Sequence, residues 1–232
     1  MILETEGLTA SYGASQVLFG IDMQLTKAET VCILGRNGVG KTTTLRTIMG
    51  ILKPLSGAVR FNGLSLGGMP PYKISRLGIA YVPQGRHIFP NLTTKENLLI
   101  GARKGWGSGL GWTLQEIYDL FPVLKTRENF KGGRLSGGEQ QMLCIARGLM
   151  QNPKLLLMDE IFEGLAPIVI RQIMEVVHRL RESDISILVS EQSIKVAMEI
   201  GSRCYVLEKG QVVYRGNTVD IPEEAVMRYL GT

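Results

Sequence analysis

Two histidines, His87 and His178, and three cysteines, Cys32, Cys144 and Cys204, are all the imidazole and thiolate ligands that this 232-residue chain could offer a metal. The histidines are too few and too far apart for a metal site. There is no Cys-x-x-Cys pair, and each cysteine sits inside an apolar stretch, so the three read as buried thiols of a reducing compartment. No uninterrupted apolar run approaches the roughly 18 residues of a membrane span, so a partner must supply any spanning part. The first residues, Met1-Ile2-Leu3-Glu4-Thr5-Glu6, carry acid and no sustained apolar stretch, which argues against a signal peptide. Long basic tracts are missing too. The net charge is +5 and the pI near 9.2, but the clusters Arg103-Lys104 and Lys125-Thr126-Arg127 are too short to track nucleic acid. What remains, 44% hydrophobic and 20% charged, is an ordinary globular composition, long enough for a sizeable core in one domain with a small subdomain.

Against this background one segment carries chemistry. Gly35-Arg36-Asn37-Gly38-Val39-Gly40-Lys41-Thr42 is a complete G-x-x-x-x-G-K-[ST] loop, followed by Thr43. It follows the apolar run Val31–Leu34 and precedes a helix-compatible stretch. Strand, glycine turn and helix start together aim backbone N–H groups and the positive end of a helix dipole at one point, the physical requirement of a phosphate cradle. Lys41 can then reach β- and γ-phosphates, and the Thr42 hydroxyl can ligate Mg²⁺.

The rest of the chain alternates strand and helix. The first thirty residues alternate apolar and polar side chains, as expected of antiparallel strands with one solvated face. A helix over 43–49 ends at Gly50, Pro54–Gly57 reads as a turn, and strands follow at Ala58–Phe61 and Ile79–Val82. Helical pieces at Thr94–Ile100 and Thr113–Leu120 flank a glycine-rich stretch. Its residues 105–112 read as a mobile surface loop, with docking of Trp106 and Trp112 on a partner as the alternative. Ser136 and Glu139 form an S-x-x-E capping box that opens a helix through Met150. A strand at Leu155–Met158, a helix from about Ile168 to Glu182, a strand at Ile185–Val189, a helix near Ile194–Ile200 and a hairpin turning at Lys209-Gly210 complete the pattern. The expected fold is α/β: a mostly parallel sheet with an antiparallel β flank and an inserted helical subdomain. Residues 1–89 and 155–232 would form the catalytic core, and about 90–150 the helical insertion.

The strand at 155–158 ends in Asp159-Glu160, at the edge where ligands of open α/β sheets bind. Asp159 suits the Mg²⁺ shell, and Glu160 suits a general base aimed at a water in line with the γ-phosphate.

Leu135-Ser136-Gly137-Gly138-Glu139-Gln140 resembles the signature of ATP-binding cassette (ABC) ATPases, and the three motifs stand in that family's order. The resemblance implies a P-loop NTPase that binds ATP and Mg²⁺ and hydrolyses ATP in a head-to-tail dimer. Gly35–Thr43, Asp159, Glu160 and Gln192 of one subunit would face Ser136, Gly137, Gly138 and Glu139 of the other. It further implies that Tyr12 stacks on adenine and that Gln84 touches Mg²⁺ and the attacking water and faces a transmembrane partner. Three positions depart from the family. Ile161-Phe162 replaces the proline expected after Glu160. The following loop reads Glu163-Gly164-Leu165-Ala166 and lacks its usual aspartate. Gln192 stands where a switch histidine is usual and can hydrogen-bond but carries no charge.

The runs 84–90, 163–167 and 191–192 resemble the second ATPase subunit of bacterial branched-chain amino acid uptake systems, with relatives for urea and short amides. That implies a cytoplasmic subunit on the inner face of the plasma membrane, two transmembrane permease subunits and an extracytoplasmic solute-binding protein. It also implies a second ATPase subunit in a heterodimer, a homodimer being the alternative. The rival readings are a soluble ABC ATPase acting on ribosomes or DNA, and a module that responds to ATP without hydrolysing it.

Overall fold

The computed structural model of the chain describes residues 1–103 and 111–230; most of the expected glycine-rich surface loop lies outside the described residues. Two sheets organise the molecule. The first has the order β2-β1-β4-β5 and is antiparallel throughout: β1 (Leu3–Tyr12), β2 (Ser15–Leu25), β4 (Pro54–Phe61) and β5 (Leu64–Ser65). In β2, Leu18, Ile21, Met23 and Leu25 point inward while the residues between them face water. This is the alternation of a sheet solvated on one face.

Strands β3 (Thr30–Leu34), β6 (Ile79–Val82), β7 (Leu155–Asp159), β8 (Ser186–Glu191), β9 (Arg203–Glu208) and β10 (Gln211–Asn217) form the second sheet. Its order is β10-β9-β3-β8-β7-β6, and all neighbours are parallel except β10, which runs antiparallel to β9. Every residue of β3, β7 and β8 is buried, as a parallel sheet covered on both faces requires.

Alternate residues of these strands feed two different cores. Val31, Ile33, Leu155, Leu157 and Leu188 pack toward the antiparallel sheet and helix α1 (Lys41–Ile48). Cys32, Leu34, Leu156, Met158, Ile187 and Val189 pack toward the helices on the opposite face. Each fully buried leucine or isoleucine contributes about 1.5–3 kcal/mol. Inserting or deleting one residue in any central strand would therefore exchange the two cores.

After the short helix α2 (Pro71–Arg76), the segment between β6 and β7 holds α3 (Thr94–Gly101), α4 (Leu114–Leu120), α5 (Pro122–Thr126) and α6 (Gly137–Leu149). Thr93, Thr113 and Ser136 each close a reciprocal capping box with the glutamate three residues on. Trp112 is half-buried against the larger core. Helices α7 (Pro167–Arg181) and α8 (Ile194–Ile200) cover the sheet, α7 through Ile173, Val176, Val177 and Leu180.

Two local expectations change. Pro54–Gly57 belongs to β4 rather than to a turn. Pro54 occupies the first strand position, where its missing N–H costs least, and Gly57 (φ 85°) sits at a register shift against β1. Strand β8 runs on through Ser190 and Glu191, because both side chains are buried and both residues pair with the end of β3.

Candidate functional site

The carboxyl ends of β3, β7 and β8 meet at one edge of the parallel sheet, and the loop leaving β3 wraps into the N-terminus of α1. Gly40 is the helix's N-cap with φ 110°, a conformation L side chains rarely adopt, and a Cβ there would lie 2.8 Å from Leu18 Cδ2. Glycine is thus required where the chain enters the helix. Lys41 turns back into the loop. Its ammonium donates to the carbonyls of Gly35 (2.8 Å) and Arg36 (3.0 Å) and pairs with Glu160 Oε1 at 2.9 Å. Both partners of this ion pair are buried.

Asp159, at the end of β7, is wholly buried and accepts three hydrogen bonds, all from uncharged hydroxyls. Thr42 Oγ1 (3.0 Å) and Ser190 Oγ (2.6 Å) donate to Oδ1, and the Tyr81 hydroxyl donates to Oδ2 at 2.8 Å. A buried anion held by neutral donors is a hard oxygen site with charge to spare, and together with Thr42 it fits a Mg²⁺ ion. Burial and the adjacent Asp159 charge push the Tyr81 phenol well above its ordinary pKa, so it remains a donor.

Glu160 follows immediately in a left-handed conformation (φ 46°), uncommon for a non-glycine residue. Its N–H is held by Ser190, through the carbonyl at 3.1 Å and Oγ at 3.2 Å. Gln84 Nε2 donates to Glu160 Oε2 (2.9 Å) and Glu163 Oε2 (2.6 Å). Gln192 Nε2 donates to Asn37 Oδ1 (2.6 Å) and reaches Glu160 Oε1 at 3.5 Å. Lys41, Thr42, Asn37, Gln84, Asp159, Glu160 and Gln192 therefore form one hydrogen-bonded constellation.

Ser136–Glu139 stand apart from it at the start of α6. Ser136 N donates to Glu139 Oε2, Glu139 N returns the bond to Ser136 Oγ, and Arg127 pairs with Glu139 at 3.3 Å. Arg86 lies across this helix start. Its Nη2 donates to the Gly164 carbonyl at 3.1 Å, and its guanidinium occupies the place a side chain on Gly137 would need. Tyr12, at the end of β1, is 44% exposed, and its hydroxyl accepts from Arg46 Nη1 at 3.4 Å.

Sequence reasoning passed over four contributors. Ser190 carried a signal: a small hydroxyl at the ligand edge of an apolar strand. Tyr81, Arg46 and Arg86 carry none, since a strand aromatic, a helix arginine and a loop arginine belong to no motif.

Comparison with known proteins places the chain in a family. The sequence pattern of the ABC transporter family matches residues 18–163. The chain is 41% identical over 212 residues to the high-affinity branched-chain amino acid transport ATP-binding protein BraG of Pseudomonas aeruginosa, covering 91% of each. It is 35% identical to the probable branched-chain amino acid transport ATP-binding protein LivF of Archaeoglobus fulgidus, covering 96% of this chain and 94% of that one. Among solved structures, an ABC transporter cassette in its ADP conformation superposes with a TM-score of 0.81 at 28% identity, covering 93% of this chain and 91% of the other. A dimeric ATP-binding cassette in a post-hydrolysis state with ADP and Pi also scores 0.81, at 26% identity, covering 93% of this chain and 98% of that one. Since the family's pattern spans well over half of the chain, the protein belongs to the ABC transporter family and is one of its ATP-hydrolysing cassettes.

Proposed function

We propose that this chain is the ATP-hydrolysing subunit of an importer for branched-chain amino acids. The observation that carries the chemistry is the convergence of Lys41, Thr42, Asp159, Glu160, Gln84 and Gln192 on one edge of the sheet. The cargo rests on the similarity to BraG and LivF.

ATP binds with its phosphates along Gly35–Thr43. Phosphate oxygens compete with Glu160 for the Lys41 ammonium, so nucleotide binding draws the cation out of the pair and leaves the carboxylate free. Thr42, Asp159 and Gln84 would hold Mg²⁺, which supplies charge neutralisation at the β- and γ-phosphates. Glu160 Oε takes a proton from water as the water oxygen attacks the γ-phosphorus, and the bond to the bridging oxygen breaks to leave ADP and inorganic phosphate. Gln84 and Gln192 orient the carboxylate through the contacts they already make, and the carboxylate in turn orients the water. Ser136–Glu139 present their helix start to the γ-phosphate held by a second cassette, and ATP, bound by both, favours the closed pair.

Among the described residues no helix is long and apolar enough to cross a membrane. The spanning work would fall to two permease subunits, with a second ATPase subunit completing a heterodimer on the inner membrane face and an external binding protein delivering solute.

The test is direct. Glu160→Gln should lower turnover by about 10²–10⁴-fold while ATP still binds and drives a dimer that elutes at twice the monomer mass. Lys41→Ala should abolish ATP binding. Unchanged turnover in the first variant, or full activity in the second, would overturn these roles. For the cargo, the complex isolated from membranes should be stimulated by leucine, isoleucine or valine with its binding protein. Stimulation by urea or short amides alone would reassign it.

A further inference from the structure

Among the described residues Asp159 Oδ2 is held by one donor, the hydroxyl of Tyr81 at 2.8 Å. Tyr81 is half-buried near the end of β6, one strand over from Asp159, in the register that pairs it with Leu157. Its hydroxyl also faces the guanidinium of Arg46, in the last turn of α1. Arg46 in turn hydrogen-bonds the exposed Tyr12 at 3.4 Å. Tyr12, Arg46, Tyr81 and Asp159 thus stand as successive polar neighbours, hydrogen-bonded at the two ends, Arg46 to Tyr12 and Tyr81 to Asp159. They pass along the outside of the phosphate-loop helix and lead from the end of the antiparallel sheet to the buried carboxylate. The other two donors to Asp159, Thr42 and Ser190, both bind Oδ1. Tyr81 alone therefore fixes the rotation of the carboxylate plane among these contacts.

We propose that Tyr81 is a positioning residue for the Asp159 carboxylate, and that Arg46 ties this hold to Tyr12, so that seating of an adenine ring and of a divalent cation are energetically coupled. The proposal rests on the reading of Tyr12 as the base-stacking residue and Asp159 as the cation's carboxylate. Stacking of a base on Tyr12 restrains its ring and hydroxyl, which restrains Arg46. Arg46 then leaves the Tyr81 hydroxyl fewer orientations other than toward Oδ2, and the carboxylate meets the cation already turned. Coupling of this kind is reciprocal: the cation must strengthen base seating by the same factor.

Equilibrium binding to the full chain, with a fluorescent or calorimetric readout, tests this. ATP and inorganic tripolyphosphate are each titrated with Mg²⁺ and with EDTA. In the unaltered protein Mg²⁺ should improve ATP affinity by a larger factor than it improves tripolyphosphate affinity. Tyr81→Phe, which keeps the ring, should cut the Mg²⁺ gain for ATP about tenfold, the worth of one hydrogen bond to a charged group, while ATP affinity in EDTA stays within about twofold. Arg46→Ala, at an exposed position, should leave the Mg²⁺ gain for tripolyphosphate intact and reduce the gain for ATP to the same value. Equal losses with and without Mg²⁺ in Tyr81→Phe would mark a merely structural tyrosine and overturn the proposal, as would an unchanged gain. Failure of the unaltered protein to bind ATP at all would instead remove the nucleotide reading on which the coupling stands.

Discussion

Glu191 shows how much a single side chain beside the site can weigh. It closes β8, is buried, and among the described residues leaves Oε1 without a partner, although the N–H groups of Phe162 and Gln192 lie beside its carboxylate and favour its charged form. Burial, and then the neighbouring charge of Glu160, push its pKa up to about 8. The unfolded chain would release this proton near pH 4.5, whereas the fold keeps it to about pH 8. Between those values the unfolded state binds fewer protons, so Glu191's contribution to stability is complete only below the lower value and is lost as pH rises through the upper one. Glu191→Gln should therefore flatten the fall in melting temperature between pH 5 and pH 8.5 and stabilise the protein by up to several kcal/mol at the alkaline end. Parallel curves for the two proteins would contradict the assignment. Sequence reading reached Glu160, Asp159 and Lys41 because motif spacing names them. It could not reach Glu191, whose importance comes from where the register of β8 points it.

Helices α4 and α6 begin with the same device and should respond differently to its loss. Thr113 and Ser136 each cap a helix whose third residue is a glutamate that bonds back. Replacing either by alanine should cost about 1 kcal/mol, or roughly 2–4 °C in a chain of this length. Thr113→Ala should do no more than that. Ser136→Ala should also slow turnover of the dimer, since its helix start is proposed to meet γ-phosphate, and equal turnover in both variants would remove that role. The elements themselves were largely legible. The 3.6-residue periodicity of α7 and the solid apolar runs of β3 and β7 have one physical meaning each, and all three lie where the pattern puts them. Segments whose local chemistry points two ways were harder. Pro54–Gly57 carries turn residues but is held in β4 by pairing to β1, a long-range contact that composition does not encode. The short helices α2 and α5 start with proline and span six and five residues, too few to show a period.

In the whole molecule, two cores share one sheet, and the strand ends between them carry the constellation. Two arrangements could not be read from one chain's pattern: how the antiparallel sheet faces α1, and how Arg86 bridges the start of α6 to the loop after β7. The buried thiols have a practical consequence at this level. Cys32, Cys144 and Cys204 are unpaired, and burial raises all three, Cys144 to about 11 and Cys204 to about 12. Thiolate, the reactive form, is then scarce near neutrality. A maleimide should label the native protein negligibly at pH 7 and three sites per chain after denaturation; rapid native labelling would show that a core opens. The wild-type sequence is thus a silent background for spectroscopy. One cysteine introduced at an exposed position could carry a dye or spin label and report the approach of two cassettes during turnover, with no native residue first removed.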